Sequence, residues 1–461
     1  MSKLFKIIKQ HPYITCLSLL TFTIYALLFG IYSSNDIDNT WSTAWIYHFY
    51  EHGITEDILF FKGDPTYWGV RFFSHIYCYI YGFILSHAGY TKYNVQFISL
   101  CFMMASLACW YTISKTIFKK RNQILVFIFM LVWSGVFFAA ANKARSDAMV
   151  FFFMSSSFLL WIRRSYFFSI LSACIAIETH PIGGITLLYI LSYTLCYDRK
   201  FFVSKKAILM VALALIIGIL MYVSLHYTEL GKLAFLVTKV QESHQSSNFL
   251  AAHFWGRGSY PYRYLPELLL FATAFIMHFI IYRKKDFFFP LTVLLMIISP
   301  FIFKRGNFHY AIFTYPAFLM LTVHAFAGIQ QKRFHLYFLL VGWLLLLLPQ
   351  YLFLAWQNAP SRKYQDYISQ LQQFPFPKES LIYGMPADWF ALYRYSGFRS
   401  ITSPQENQER FIIEHQNTRF SQPNYHYHLT YDTKKWQLTT LATYHLQSGG
   451  LIRVHKVSHL P

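Results

Sequence analysis

The chain has 461 residues, 55% of them hydrophobic and only 13% charged, with 40 Lys and Arg against 20 Asp and Glu for a formal net charge of +20. Soluble domains carry about 25% charged residues, so this composition excludes an ordinary soluble globule. The mean hydropathy of the whole chain is +0.34, apolar stretches recur from residue 12 to residue 355, and many reach the roughly 18–20 residues that cross a bilayer. The reading is a polytopic α-helical membrane protein. A β-barrel would alternate over segments of about ten residues, and the sequence does not.

In chain order, Lys3, Lys6 and Lys9 precede an apolar run over about 12–32. No small-residue cleavage site follows it, so it reads as a retained helix with its N-terminus in the cytoplasm. Further candidate membrane segments are 72–87, 95–118, 123–141, 147–162, 166–177, 182–197, 207–225, 265–282, 287–303, 308–328 and 335–355. They give about 11 spans by either of two counts. In one, 166–197 is a single broken helix; in the other, 72–87 dips without crossing. The second puts every basic loop inside ("KKR" 119–121, "RR" 163–164, "DRKFFVSKK" 198–206, "YRKK" 282–285, "QKR" 331–333) and is favoured on charge. These loops carry much of the positive charge. It therefore reads as topology and anionic-lipid contact, with no nucleic-acid partner.

Residues 1–356 form the expected membrane domain, with outer loops at 33–70 and 226–264. Residues 357–461 form a polar tail on the outer side. In the tail, "RKYQDYISQLQQF" reads as an amphipathic helix, and "SLIYG" and "GGLIRVHKV" read as strands. A small α/β extracytoplasmic domain is expected. Cys16, Cys78, Cys101, Cys109, Cys174 and Cys196 all lie in apolar segments, so neither a disulfide framework nor a zinc motif is visible.

The stretch "YSSNDIDNTW" (32–41) places Asp36 and Asp38 just beyond the first apolar run. A carboxylate at that border is partly desolvated, which raises its pKa toward that of a useful general base. The same residues suit a turn, or the N-cap of a helix starting near Thr40. Composition alone leaves both open. Asp147, with Arg145, heads another apolar segment and suits either a local ion pair at a helix start or a functional acid. His180-Pro181 is expected to break a helix. No resident cofactor is indicated. A divalent metal is conceivable at His48 and His52, four residues apart, although that pair reads as facing water or headgroups. The histidines of "YHYH" (425–428) read as a solvated strand face.

The order of features resembles the GT-C glycosyltransferases, in particular bacterial relatives of protein O-mannosyltransferases and lipid A aminoarabinose transferases. "DIDNTWSTAWIYHFYEHG" (36–53) fits that family's acidic motif and interfacial helix. "ARSDAMVFFF" (144–153) followed by "ETHPIGG" (178–184) fits a mid-domain pair. "KRGNFHYAIFTYPAFLML" (304–321) fits a late Lys-x-x-x-His-Tyr motif, here with Lys304 five residues before His309. The resemblance covers residues 1–355 in outline.

It implies transfer of a sugar from a polyprenyl-phosphate donor to a lipid, glycan or protein acceptor on the outer face of a bacterial inner membrane. Asp36 or Asp38 would serve as base, and Asp147 would face the sugar. Arg257, Arg263, Lys304, Arg305, His309 and Tyr310 would hold the donor phosphate. A multi-span transporter and a polysaccharide polymerase or ligase are the alternatives. The first would want internal repeats and mid-membrane acids; the second needs no acidic pair in its first loop.

Overall fold

The structure is a computed structural model. It describes residues 37–54, 74–228, 230, 260–282, 291, 293–294, 308–329, 338–347, 364–395, 397–400, 410–416, 436–445 and 451–459. The first apolar run, Asp36, Arg257, Lys304, Arg305 and "YHYH" lie outside the described residues, as do the side chains of Asp38, Arg263 and His309.

Helix α1 (Ile37–His52) carries the acidic motif at its start, and α2 (His75–Ala88) packs along it. Then come α3 (Lys92–Ile117), α4 (Arg121–Val132), α5 (Gly135–Ala141), α6 (Asp147–Ile162), α7 (Tyr166–Thr179), α8 (Ile185–Tyr197) and α9 (Lys205–His226). Their starts are written locally: Thr91, Ser134 and Ser204 accept the N–H of Asn94, Phe137 and Ala207, satisfying donors the helices leave open. By length and composition, α3 and α9 can each cross a membrane, and α4 and α5 can do so together. The single span expected over 123–141 is in fact that pair, bent by 57°. The break is at Trp133–Ser134, where the Ser134 hydroxyl turns to cap α5.

Long-range bonds give the legs their directions. Gln96, near the start of α3, bonds the Asn142 carbonyl just before α6, and Cys109 faces Ser156 further along; α3 and α6 therefore run parallel. Ser157 bonds Ser169 and Ser172 bonds the Phe153 carbonyl, so α7 returns beside α6. Tyr166, at the start of α7, bonds Asp198, just past the end of α8, so α8 runs back again. The reading of 166–197 as one broken span is therefore corrected to two antiparallel helices. The reversal occurs at His180-Pro181, where proline lacks the N–H to continue a helix. It is tight enough that a Cβ on Gly183 would lie 2.5 Å from the Ala176 carbonyl.

The legs thus connect two ends. One carries 74–75, 142–147, 178–184 and His226. The other carries the basic stretches 119–121, 163–164 and 199–206. Helix α2 starts against Glu178, and Tyr90 just after it bonds Glu51 of α1, so both its ends lie at the first end. At 14 residues, roughly 21 Å, it is shorter than a typical membrane span.

Helices α10 (Tyr260–Tyr282) and α11 (Tyr315–Ile329) run parallel, with Glu267 bonded to Tyr315 and His278 beside His324. Arg263 was expected in the second outer loop; its backbone instead belongs to the first turns of α10. The span expected over 308–328 begins with a 3-10 turn, Phe308–Phe313. Helix α12 (Phe338–Leu347) completes the described apolar helices.

The tail contains α13 (Tyr364–Gln372), α14 (Trp389–Leu392) and a mixed sheet of order β2-β1-β3-β5-β4. Strands β1 (Leu381–Gly384), β2 (Phe398–Ser400) and β3 (Arg410–Gln416) are parallel; β5 (Leu451–His459) pairs antiparallel with β3 and with β4 (Trp436–His445). Period-two alternation sends Phe411, Ile413, Ile452 and Val454 to one face, where Tyr367, Leu371 and Trp389 cover them. That core continues without a gap into α1 and α2 through Trp45, Phe49, Tyr77 and Tyr81.

Candidate functional site

The site grows from the loop between α5 and α6. Ala144 donates its N–H to Asn39 Oδ1 at 2.7 Å and accepts the Tyr77 hydroxyl at 2.8 Å. Both polar groups of one backbone unit are thus fixed, one by α1 and one by α2. Asn39 is buried, and this bond ties the first turn of α1 to the residue that precedes Arg145.

Asp147 opens α6 and is 2% exposed. Its carboxylate sits where the helix dipole is positive and accepts Arg145 Nε at 2.9 Å. The same guanidinium lies 5.6 Å from the centre of the Tyr310 ring and donates through Nη2 to its hydroxyl at 3.4 Å. That hydroxyl also lies 3.2 Å from His180 Nε2. His180 Nδ1 accepts the Ile182 N–H, so in the neutral ring the proton sits on Nε2 and is donated to Tyr310. The phenol oxygen therefore accepts from two donors, which direct its own O–H elsewhere. The 3-10 turn bearing Tyr310 is held from below by Tyr189, whose hydroxyl bonds the Phe313 carbonyl at 2.9 Å. Together these residues present a cation, an imidazole and a phenol at the end of the bundle where the acidic motif is anchored. Such a set suits an oxyanion with negative charge in excess of what Asp147 supplies.

A second cluster joins α1 to the tail. Tyr47 meets Tyr90, Tyr393 and Trp389 edge-on, with centroids 4.9, 5.3 and 6.0 Å away. The expectation that His48 faces water is corrected: it is 8% exposed, while His52 remains exposed. Burial first, then His52 and Arg399, pushes its pKa down to about 4. The His48 and His52 rings are 6.1 Å apart, and among the described residues no group of three or more His, Cys, Asp or Glu could hold a metal ion.

No protein-family model and no curated protein matches the sequence. Solved structures do match the fold. ArnT from Cupriavidus metallidurans bound to undecaprenyl phosphate superposes with a TM-score of 0.57 at 12% identity, over 96% of this chain and 98% of that one. Its apo state gives 0.54 at 13% identity over the same shares. The chain has the fold of ArnT. An Archaeoglobus fulgidus oligosaccharyltransferase tethered with an acceptor peptide gives 0.51 at 12% identity, over 86% of this chain and 64% of that one. The fold likeness to ArnT, at 96% of this chain, extends past residue 355, where the motif resemblance stops.

Of the residues the sequence singles out, Asp147 and Tyr310 are brought together through Arg145, and His180 bonds Tyr310. Asn39, Tyr77 and Glu178 were missed. An acid at the end of an apolar run, as in "AIETHP", was a usable sign for Glu178. Asn39 gave none, because its partner is 105 residues away.

Proposed function

We propose that the chain is a glycosyltransferase that moves a sugar from a polyprenyl-phosphate donor to a lipid, glycan or protein acceptor at the outer membrane face. The observation that carries this reading is the Asn39–Ala144 bond, which joins the acidic motif to the Arg145–Asp147–Tyr310–His180 group in a GT-C fold. The undecaprenyl phosphate in ArnT and the acceptor peptide in the oligosaccharyltransferase support the two substrate classes. In this reading residues 1–356 form the membrane domain and 357–461 a domain on the same side as the site. The protein lies in a bacterial inner membrane with its N-terminus cytoplasmic.

The donor's polyprenyl tail lies in the bilayer and its phosphate at the interface. The acceptor oxygen forms a bond to the anomeric carbon as the bond from that carbon to the phosphate oxygen breaks. The phosphate leaves with the electron pair, and the acceptor proton passes to Asp36 or Asp38. Arg145, Tyr310 and the predicted set Arg257, Arg263, Lys304, Arg305 and His309 stabilise the departing charge. Asp147 keeps Arg145 oriented and faces the sugar. A transporter is less well supported, because the site's charged groups gather at one end of the bundle rather than at its midplane.

The test is release of polyprenyl phosphate by purified protein in proteoliposomes given labelled polyprenyl-phosphate sugars, with mass spectrometry of lipids, proteins and glycans from a knockout to name the acceptor. No donor consumption with any such sugar, together with unchanged knockout glycans, overturns the assignment.

A further inference from the structure

Glu178 is buried at 1% exposure and has no part in the chemistry above. It nevertheless collects an unusual set of bonds. Its Oε1 accepts the backbone N–H of His75 at 2.7 Å, and both oxygens lie 3.3–3.4 Å from the N–H of Ile76. His226 Nε2 lies 3.1 Å from Oε1. The Nδ1 of His226 is buried without a partner among the described residues, so that ring bonds through Nε2 alone. The rings of His75 and His226 stack with centroids 4.0 Å apart, and His75 Nδ1 bonds the Leu225 carbonyl. The backbone takes part as well: Glu178 O accepts Ser74 N at 2.6 Å, and Thr179 O accepts the Ser74 hydroxyl at 2.6 Å. These bonds hold Ser74 at φ 76°, a conformation that side-chain-bearing residues rarely adopt.

The position of these partners in the chain gives the cluster its meaning. Ser74 caps and His75 begins α2, and His226 closes the last turn of α9. His180, two residues beyond Glu178, is the residue that bonds Tyr310. One carboxylate thus ties the start of α2 and the end of α9 to the turn that carries His180. It also sits at the N-terminus of α2, where a negative charge is favoured. Truncating a buried acceptor of several donors strands each of them, and the three chain segments lose their common register.

We propose that Glu178 is a positioning residue that registers the start of α2 and the end of α9 to His180 and Tyr310, and so sets the donor-phosphate subsite. The proposal rests on the polyprenyl-phosphate reading for its ligand, but its geometry can be read without turnover. The experiment places 3-fluorotyrosine at position 310 and follows its fluorine resonance in nanodiscs, alongside the affinity for undecaprenyl phosphate alone. Glu178→Ala should shift or broaden the resonance and weaken undecaprenyl-phosphate binding about tenfold, with Glu178→Gln between it and wild type. Tyr166→Phe, which loses a bond to Asp198 at the opposite end, should lower stability and leave both signals in place. If Glu178→Ala does not fold, Glu178→Gln and His226→Asn carry the same comparison. A wild-type resonance and affinity in the folded variants overturns the proposal. A wild-type protein that binds no undecaprenyl phosphate overturns the ligand assignment instead, while the resonance still decides whether Glu178 positions Tyr310.

Discussion

Arg145 uses Nε for Asp147 and Nη2 for Tyr310. A lysine has one ammonium on a flexible stem and cannot hold that fork, so Arg145→Lys is not conservative here. Donor turnover should fall at least tenfold for Arg145→Lys and for Tyr310→Phe, since each loses a hydrogen bond worth about 1.5–3 kcal/mol when charged; wild-type donor kinetics in both would remove the pair from the site. The two acids of the motif divide on a different test. Helix α1 begins at Ile37, so Asp38 falls in its first turn and Asp36 just before it. Asn is nearly as good a cap as Asp, whereas loss of a base costs about two to four orders of magnitude. Asp36→Asn and Asp38→Asn, assayed in parallel, should therefore give one near-normal enzyme and one nearly dead one. Full activity in both and in the double variant leaves "NDID" as a turn at a membrane edge. Arg145, Asp147, His180 and Tyr310 could each be singled out in the sequence. Their union could not, because Arg145 and Tyr310 are 165 residues apart and only the packed helices bring them together.

At the scale of elements, the sequence marks apolar runs well and their bends poorly. The α4–α5 break has no proline and is set by a serine cap. The α7–α8 reversal does have its sign, His-Pro followed by two glycines. Gly183→Ala tests that reversal: its methyl meets backbone, which cannot swing aside, so a loss of roughly 1–3 kcal/mol is expected. His180 sits in the same turn, so donor use should fall with the thermal midpoint; an unchanged midpoint would mean the turn is looser than described. Docking of the tail on α1 carries a pH signature. Folded His48 has a pKa of about 4 against 6.5 when free, so the folded state binds fewer protons between those values. Its contribution is complete above about pH 6.5 and is lost as pH falls toward 4, to a limit of about 3 kcal/mol. His48→Gln removes that titration. Wild type should therefore lose more thermal stability than the variant between pH 7 and pH 4.5, and parallel curves would refute the buried neutral imidazole. The amphipathic helix of the tail and two of its strands were legible from periodicity. The burial of His48 was not, since its cover comes from far along the chain.

For the whole molecule, the parity of the legs makes a topological prediction. The basic stretches gather at the end opposite the site, so the positive-inside rule predicts a site on the outer side. A reporter fused after Trp356 should be active only on the periplasmic side; activity in the cytoplasm would reverse every assignment of face. The shared core of α1, α2 and the tail sheet has a further consequence for synthesis. Tyr47 leaves the ribosome early, whereas Trp389 and Tyr393, whose rings pack against it, follow about 340 residues later. At bacterial elongation rates that is a wait of roughly 20–70 s. During it the membrane legs can insert, but the helix bearing the acidic motif has no lid. A nascent chain halted before residue 380 should therefore hold its helices in the bilayer while the aromatic face of α1 around Tyr47 stays uncovered, so that the core shared by α1, α2 and the sheet closes only once the last strand has emerged.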